Sequence, residues 1–182
     1  MKWEDYKKDI KKALDIFKFD EEILKILKNS IKNNQKIFVA GNGGSAALAI
    51  HYVCDLSKGA NKDWDNNFKR YKAICLSDNV GYMTAIANDT SYEEVFRQQL
   101  INLASKNDIL ILISSSGNSP NIVKAAEYGK KAGLIVIGMT GFDGGKLKKL
   151  CNYSAHVNVN SYEISEDIHG IFGAFLACYL RE

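Results

Sequence analysis

Five short apolar runs, separated by segments of helical length, restrict the fold of this chain more than any other feature. They are rich in β-branched residues, begin at residue 36 and read KIFVAG, YKAICLS, DILILIS, LIVIGMT and YSAHVNV. Apolar strands that alternate with helices are typical of a parallel sheet that is covered on both faces. We therefore predict an α/β fold with a five-stranded parallel sheet and helices on both faces.

Two helices are expected before the first strand, because apolar residues recur there at steps of three and four. The positions are Trp3, Tyr6, Ile10, Leu14 and Phe17, followed by Ile23, Ile26, Leu27 and Ile31. Asp20, between the two sets, is the expected N-cap of the second helix. The chain contains one proline and no Ser/Gly-rich linker, so we predict a single domain over residues 1–182, with a helical hairpin in 1–34 and an α/β core in 35–182 that ends in a C-terminal helix.

Charge and hydropathy exclude several classes of partner. The net charge is only +3 and the basic residues do not cluster, so no nucleic-acid partner is expected. The N-terminus is too polar for a signal peptide, and no apolar stretch approaches the ~20 residues of a membrane span. We predict a cytoplasmic protein with no membrane partner.

A glycine-rich loop follows the first strand and precedes a helical segment. It contains Asn42, Gly43, Gly44 and Ser45. Glycines allow a sharp turn and bring backbone amides near a ligand, beside a helix N-terminus that favours anions. A plain tight turn is an equally good interpretation of this loop alone. The sequence matches neither GxGxxG nor a P-loop, so no nucleotide cofactor is expected.

A serine-rich loop follows the strand DILILI and precedes the helix that begins near Pro120. Its hydroxyl residues are Ser114, Ser115, Ser116 and Ser119. An N-cap needs only one serine, whereas four hydroxyls at a helix N-terminus suit a phosphate dianion without any lysine. Both loops lie at the carboxyl ends of parallel strands, where open α/β sheets bind their ligands.

Four motifs in order resemble those of the sugar isomerase (SIS) family, and most of all its phosphoheptose isomerases. They are AGNGGSAA, Ala87-Asn88-Asp89, ISSSGNS and TGFDGGK. The resemblance implies a flavodoxin-like fold, and an isomerase that forms D-glycero-D-manno-heptose 7-phosphate from sedoheptulose 7-phosphate for surface polysaccharide heptose. It implies a homotetramer with active sites between subunits and, in some members, zinc. The residues it assigns to substrate are Ser114, Ser115, Ser116 and Ser119 for phosphate, and Asn42, Gly43, Gly44, Ser45, Asn88 and Asp89 for sugar.

The resemblance places the proton-transfer groups on two helices, and this chain departs from the family pattern on both. Where the family has His-x-x-x-Glu, this chain has His51 and Asp55, which share one helix face. On the second helix, Glu166 replaces a glutamine, His169 matches the first histidine, and Ala174 replaces the second. We expect His51, Asp55, Glu166 and His169 to be catalytic. Zinc or another divalent metal is expected at His51, Asp55 and Glu166.

Two other functions stay open at this point. An isomerase of another sugar phosphate would explain the altered carboxylates. A non-catalytic SIS domain that binds a phosphosugar or a protein partner would explain Ala174, because alanine can neither carry a proton nor bind a metal.

Overall fold

Strand β4 (Ile109–Ser114) lies inside the sheet, and all six of its residues are buried. Neighbouring residues on a strand point to opposite faces, so an unbroken apolar run needs cover on both sides. The computed structural model describes residues 1–60 and 70–181 and shows this cover. Ile109, Ile111 and Ile113 belong to one core, whereas Leu110 and Leu112 belong to another.

The sheet has six strands, which are β1 (Lys18–Phe19), β2 (Lys36–Gly41), β3 (Lys72–Cys75), β4, β5 (Ile135–Thr140) and β6 (Tyr153–His156). Their order is β1-β6-β5-β4-β2-β3. All neighbours are parallel except β1, which pairs antiparallel with β6. In the flavodoxin-like order shown by the parallel strands, the direction of winding reverses between β2 and β4, and ligands bind at such a reversal point.

Helices cover both faces of this sheet. They are α1 (Trp3–Ile16), α2 (Glu22–Ser30), α3 (Gly44–Cys54), α4 (Val80–Asp89), α5 (Val95–Leu103), α6 (Pro120–Ala132), α7 (Gly145–Leu150) and α8 (Tyr162–Arg181). Helices α2, α3 and α8 pack on one face, and α4 to α7 pack on the other. A π-helical turn (Asp55–Gly59) extends α3, and a 3₁₀ turn (Tyr92–Glu94) precedes α5.

The predicted fold class is confirmed, including all five parallel strands, but the strand count was one too low. Strand β1 has only two residues, too few to show an alternating pattern. It forms the edge of the sheet and pairs with β6, with Lys18 opposite His156. Its position therefore depends on a partner more than 130 residues away, which no local pattern reveals.

Asp20 does not act as the predicted N-cap. Its carboxylate accepts a hydrogen bond of 2.6 Å from the backbone N–H of Ser154, and its own N–H donates to the Ser154 carbonyl. The turn between α1 and α2 is thereby fixed to the sheet edge. Helix α2 begins after Glu21 without a side-chain cap.

The two N-terminal helices have different partners. Helix α2 buries Ile23 and Leu27 against the sheet, whereas Ala13 of α1 packs against α8 with Ile164 and Ile168. Among the helices of residues 1–60 and 70–181, none is long and apolar enough to cross a membrane. The single domain over residues 1–182 stays a prediction.

Helix α8 approaches α3 so closely at Gly173 that an added β-carbon would collide with the Tyr52 ring. Tyr52 is buried, and its hydroxyl donates to the His169 carbonyl at 2.6 Å. We predict that Gly173→Ala lowers the free energy of unfolding by about 1–3 kcal/mol through overpacking, even though alanine favours helices. Urea unfolding measures this change.

Gly81→Ala is the matched control for this prediction. Gly81 also lies in a helix, but a β-carbon there meets nothing within 4 Å. The variant should be neutral or more stable by up to about 1 kcal/mol. Equal stabilities for the two variants would show that the α3–α8 contact tolerates a larger residue.

Candidate active site

A cavity of about 340 Å³ lies at the reversal point between β2 and β4. The loop after β2 (residues 41–45, the glycine loop) and the loop after β4 (residues 114–119, the serine loop) form most of its wall, and α8 closes it. The lining residues are Asn42, Gly43, Gly44, Ser45, Ile113, Ser114, Ser115, Ser116, Ser119, Tyr162 and Glu166.

The two loops are joined by a pair of amide side chains. Asn42 and Asn121 each donate to the other's side-chain oxygen at 2.9 Å, and the Tyr92 hydroxyl donates to Asn42 Oδ1 at 3.0 Å. Asn121 is buried in the first turn of α6. Neither Asn121 nor Tyr92 was singled out from the sequence, because nothing local marks a residue whose role is to fix another loop.

The serine hydroxyls are not used to cap α6. Ser119 occupies the N-cap position but makes no capping hydrogen bond, and its Oγ lies 3.4 Å from Ser114 Oγ. Ser115 Oγ is buried and has no partner among the described residues. Buried polar groups nearly always have partners in folded proteins, and this hydroxyl, beside the cavity, can serve as a hydrogen-bond donor to a molecule bound there.

The loop of residues 141–145 and the first turn of α7 support the serine loop through hydrogen bonds. Gly141 N–H donates to the Ser115 carbonyl at 2.8 Å, and Leu147 N–H donates to the Gly117 carbonyl at 2.9 Å. Lys146 N–H donates to Asn118 Oδ1 at 3.1 Å. The residues of the motif TGFDGGK therefore support the serine loop through hydrogen bonds and do not line the cavity themselves.

Glu166 brings α8 to the other end of the cavity. Its carboxylate lies where a β-carbon of Gly44 would be, so a larger residue at the start of α3 would displace the Glu166 side chain from this position. The Ser45 hydroxyl donates to Glu166 Oε1 at 3.3 Å. Because a helix N-terminus carries partial positive charge, this is a favourable place for a carboxylate.

His51 and Asp55 form the predicted pair on one face of α3, with His51 Nε2 3.4 Å from Asp55 Oδ2. The pair does not line the cavity. The His51 side chain is 66% exposed, and it lies seven residues after Gly44, about 10 Å along the helix axis.

His169 lies inside the protein rather than at the cavity. It is fully buried, and neither ring nitrogen has a hydrogen-bond partner among the described residues. Burial lowers its pKa to about 4, the Thr140 carbonyl opposes this shift, and the nearby His156 adds to it. Its catalytic role stays a prediction that the geometry of one chain does not support.

The expected metal ligands do not converge in one chain. Within residues 1–60 and 70–181, no group of three His, Cys, Asp or Glu side chains could hold a metal ion. Glu166 faces the beginning of α3, whereas His51 and Asp55 lie near its end. Asn88 and Asp89, expected at the sugar, lie exposed at the end of α4 and do not line the cavity.

A larger hollow of about 600 Å³ lies between α5 and α6, and three of its charged side chains, Glu94, Arg97 and Lys124, are already paired. Lys124 Nζ is 2.9 Å from Glu93 and 3.0 Å from Glu94, and Arg97 is 2.7 Å from Glu94. The smaller cavity at the reversal point is therefore the better candidate for a ligand site.

The chain is an α/β protein with a hydroxyl-lined cavity where the winding of its sheet reverses, and known proteins are similar to it in sequence and fold. The SIS domain family matches residues 6–141. The phosphoheptose isomerase of Aliarcobacter butzleri is 40% identical over 152 residues, 84% of this chain and 78% of that protein. The Helicobacter pylori phosphoheptose isomerase is 38% identical over 168 residues, 90% of this chain and 84% of that protein.

Solved structures agree with these sequence matches. The phosphoheptose isomerase of Neisseria gonorrhoeae superposes with a TM-score of 0.79 at 27% identity, over 87% of this chain and 82% of that one. The chain therefore belongs to the SIS domain family, within its phosphoheptose isomerase group.

We predict that Ser119→Ala weakens the binding of inorganic phosphate about ten-fold or more. A hydrogen bond to a charged group contributes about 1.5–3 kcal/mol, and this hydroxyl has no capping role to lose. Calorimetry measures the affinity. Ser154→Ala is the matched control, because Ser154 Oγ is also buried without a partner but lies outside the cavity. Equal phosphate affinities in both variants would reject the assignment of the serine loop.

We predict that His169 makes stability fall between about pH 6.5 and pH 4. The folded-state pKa of about 4 lies below the ordinary 6.5, so the unfolded chain takes up the proton first. Neutral His169 contributes on the order of 3 kcal/mol to the free energy of unfolding. This contribution is complete above pH 6.5 and is lost as the pH falls through 4.

Urea unfolding of wild type and His169→Leu across this range isolates the effect. His156 also titrates there with a pKa lowered by burial, and it is unchanged in the variant. If the free energy of unfolding depends on pH in the same way in both proteins, the prediction is contradicted.

Proposed function

We propose that this chain isomerises sedoheptulose 7-phosphate to D-glycero-D-manno-heptose 7-phosphate, as a step in making heptose for surface polysaccharide. The observation that carries the proposal is one cavity with serine hydroxyls at one end and a single carboxylate, Glu166, at the other. This is the arrangement that an aldose–ketose isomerase of a phosphorylated sugar requires.

The serine end suits the phosphate. Among the described residues that line the cavity there is no lysine or arginine, so the dianion would be held by hydroxyls, by loop amides and by the N-terminus of α6. Neutral donors fixed by the 141–145 loop bind a phosphate ester without fixing the rest of the sugar. The reacting carbons then extend toward Glu166.

Glu166 is the group we assign to proton transfer. Isomerisation removes a proton from C1 of the ketose while the C2 oxygen gains one, which gives an enediol; C2 then gains a proton while the C1 hydroxyl loses its own. The two carbons are neighbours, so one carboxylate can serve both. In this chain Glu166 stands where the family pattern has an amide, and Ala174 is exposed on α8 outside the cavity. The base would thus come from a different turn of the same helix.

His51, Asp55 and His169 take no part in this scheme. The residues expected to hold zinc do not fit one metal ion within the described part of a single chain, so no step is assigned to a metal. Zinc binding stays a prediction, and metal analysis of the purified, dialysed protein decides it.

We expect Glu166→Gln to lower turnover by about 10²–10⁴-fold, the usual contribution of a general base. Phosphosugar affinity should stay near the wild-type value. NMR in deuterium oxide measures this change, because deuterium at C2 of the aldose reports the proton transfer directly. Asp167→Asn is the control, since Asp167 is the adjacent carboxylate and bonds Tyr6 outside the cavity.

Turnover of Glu166→Gln within ten-fold of wild type would remove Glu166 from the mechanism. If wild type turns over another sugar phosphate but not sedoheptulose 7-phosphate, the proposed substrate is wrong. Binding by wild type without turnover of any sugar phosphate would favour the non-catalytic alternative.

We also propose that the protein is a cytoplasmic homotetramer. Exposed apolar side chains on α1 and α8 support assembly, among them Trp3, Leu14, Ile171 and Phe175. Burying such a surface is favourable in water. Sedimentation at micromolar concentration should show a tetramer, whereas a monomer would contradict the proposal.

A further inference from the structure

Two aromatic rings stand together at the cavity. Tyr162, the first residue of α8, lines the cavity and remains 57% exposed. The Phe142 ring lies against it, with centroids 4.9 Å apart and ring planes at 56°. This tilted arrangement is one that aromatic pairs favour. Within residues 1–60 and 70–181, the cavity lining offers two large apolar side chains, those of Tyr162 and Ile113.

The backbone holds Phe142 in a conformation that aromatic residues rarely adopt. Its φ is +45°, in the left-handed region. Phe142 N–H donates to the Val159 carbonyl at 3.0 Å, and the preceding Gly141 N–H donates to the serine loop. Strained backbone of this kind persists where surrounding contacts require it, and it concentrates at functional sites.

The same short loop therefore does two things. Its backbone supports the serine loop, and its one aromatic side chain fixes the ring of Tyr162. Tyr162 and Glu166 are four residues apart on α8, so they share a helix face. The partly exposed ring and the carboxylate therefore line the same cavity as the serine loop.

We propose that Tyr162 is a specificity-determining residue whose ring packs on the carbon chain of the phosphosugar. This inference rests on the proposed function. Hydroxyls and a carboxylate can bind the phosphate and the reacting carbons, but they offer nothing to the C–H groups between them. A fixed aromatic face contacts those groups and excludes water from the phosphate hydrogen bonds. The protein then prefers a phosphorylated sugar to phosphate alone.

The experiment compares two ligands, sedoheptulose 7-phosphate and inorganic phosphate, by calorimetry. Tyr162→Ala should weaken phosphosugar binding about ten-fold, while phosphate affinity stays within about two-fold. Tyr162→Phe should bind both ligands like wild type, because the ring rather than the hydroxyl makes the contact. If Tyr162→Phe loses as much phosphosugar affinity as Tyr162→Ala, the proposal is overturned.

Phe142→Gly separates this role from folding. Glycine adopts positive φ freely, so the midpoint of thermal unfolding should stay within about 4 °C of wild type. Its phosphosugar affinity should nevertheless fall toward that of Tyr162→Ala, because Tyr162 loses its support. Unchanged phosphosugar affinity in this variant would show that the aromatic pair has no effect on the ligand.

The outcomes for the two proposals are distinguishable. If wild type turns over no sugar phosphate, but wild type and the variants show the expected affinities, the proposed isomerase activity is rejected. The proposed role of Tyr162 in binding the phosphosugar then still holds. If wild type binds phosphosugar no more tightly than inorganic phosphate, the Tyr162 inference fails whatever the turnover.

Discussion

The contact between Glu166 and Gly44 is the constraint on which the site depends. It brings α8 across the end of the sheet and places a carboxylate at the N-terminus of α3. A β-carbon at residue 44 would occupy the position of that carboxylate, so the Glu166 side chain would have to turn away from the N-terminus of α3. Because Tyr162 lies one turn before Glu166 on α8, the same contact also sets the position of the Tyr162 ring in the cavity.

The phosphate end is built in a different way, from backbone and hydroxyl groups rather than charged side chains. The pair Asn42 and Asn121 joins the two loops, and the serine loop accepts three further hydrogen bonds from backbone N–H groups of the 141–145 loop and the first turn of α7. The donors are therefore fixed before a ligand arrives, so little ordering remains to oppose binding. The amide of Asn42, predicted to touch the sugar, is largely used in this internal pair.

Two histidines that look catalytic in the sequence have other surroundings in the fold. His169 and Glu166 are three residues apart, yet one lies in the core near Thr140 and the other in the cavity. Residues three apart differ by only about 60° around a helix, so the two side chains lie on adjacent sides of α8, one toward the core and one toward the cavity. His51 pairs with Asp55 as the spacing predicts, but on an exposed face of α3.

The sequence alone determined the five parallel strands, the covered sheet and the two ligand loops, because strand periodicity and loop composition are local properties. Its motifs also identified the family. Tertiary structure alone decided that β1 pairs with β6, that Asn121 fixes Asn42, and that Tyr162 meets Phe142. It also decided that Glu166, and not His51 or His169, reaches the cavity. Each of these depends on residues far apart in the chain, whose distances are set by how the helices pack on the sheet.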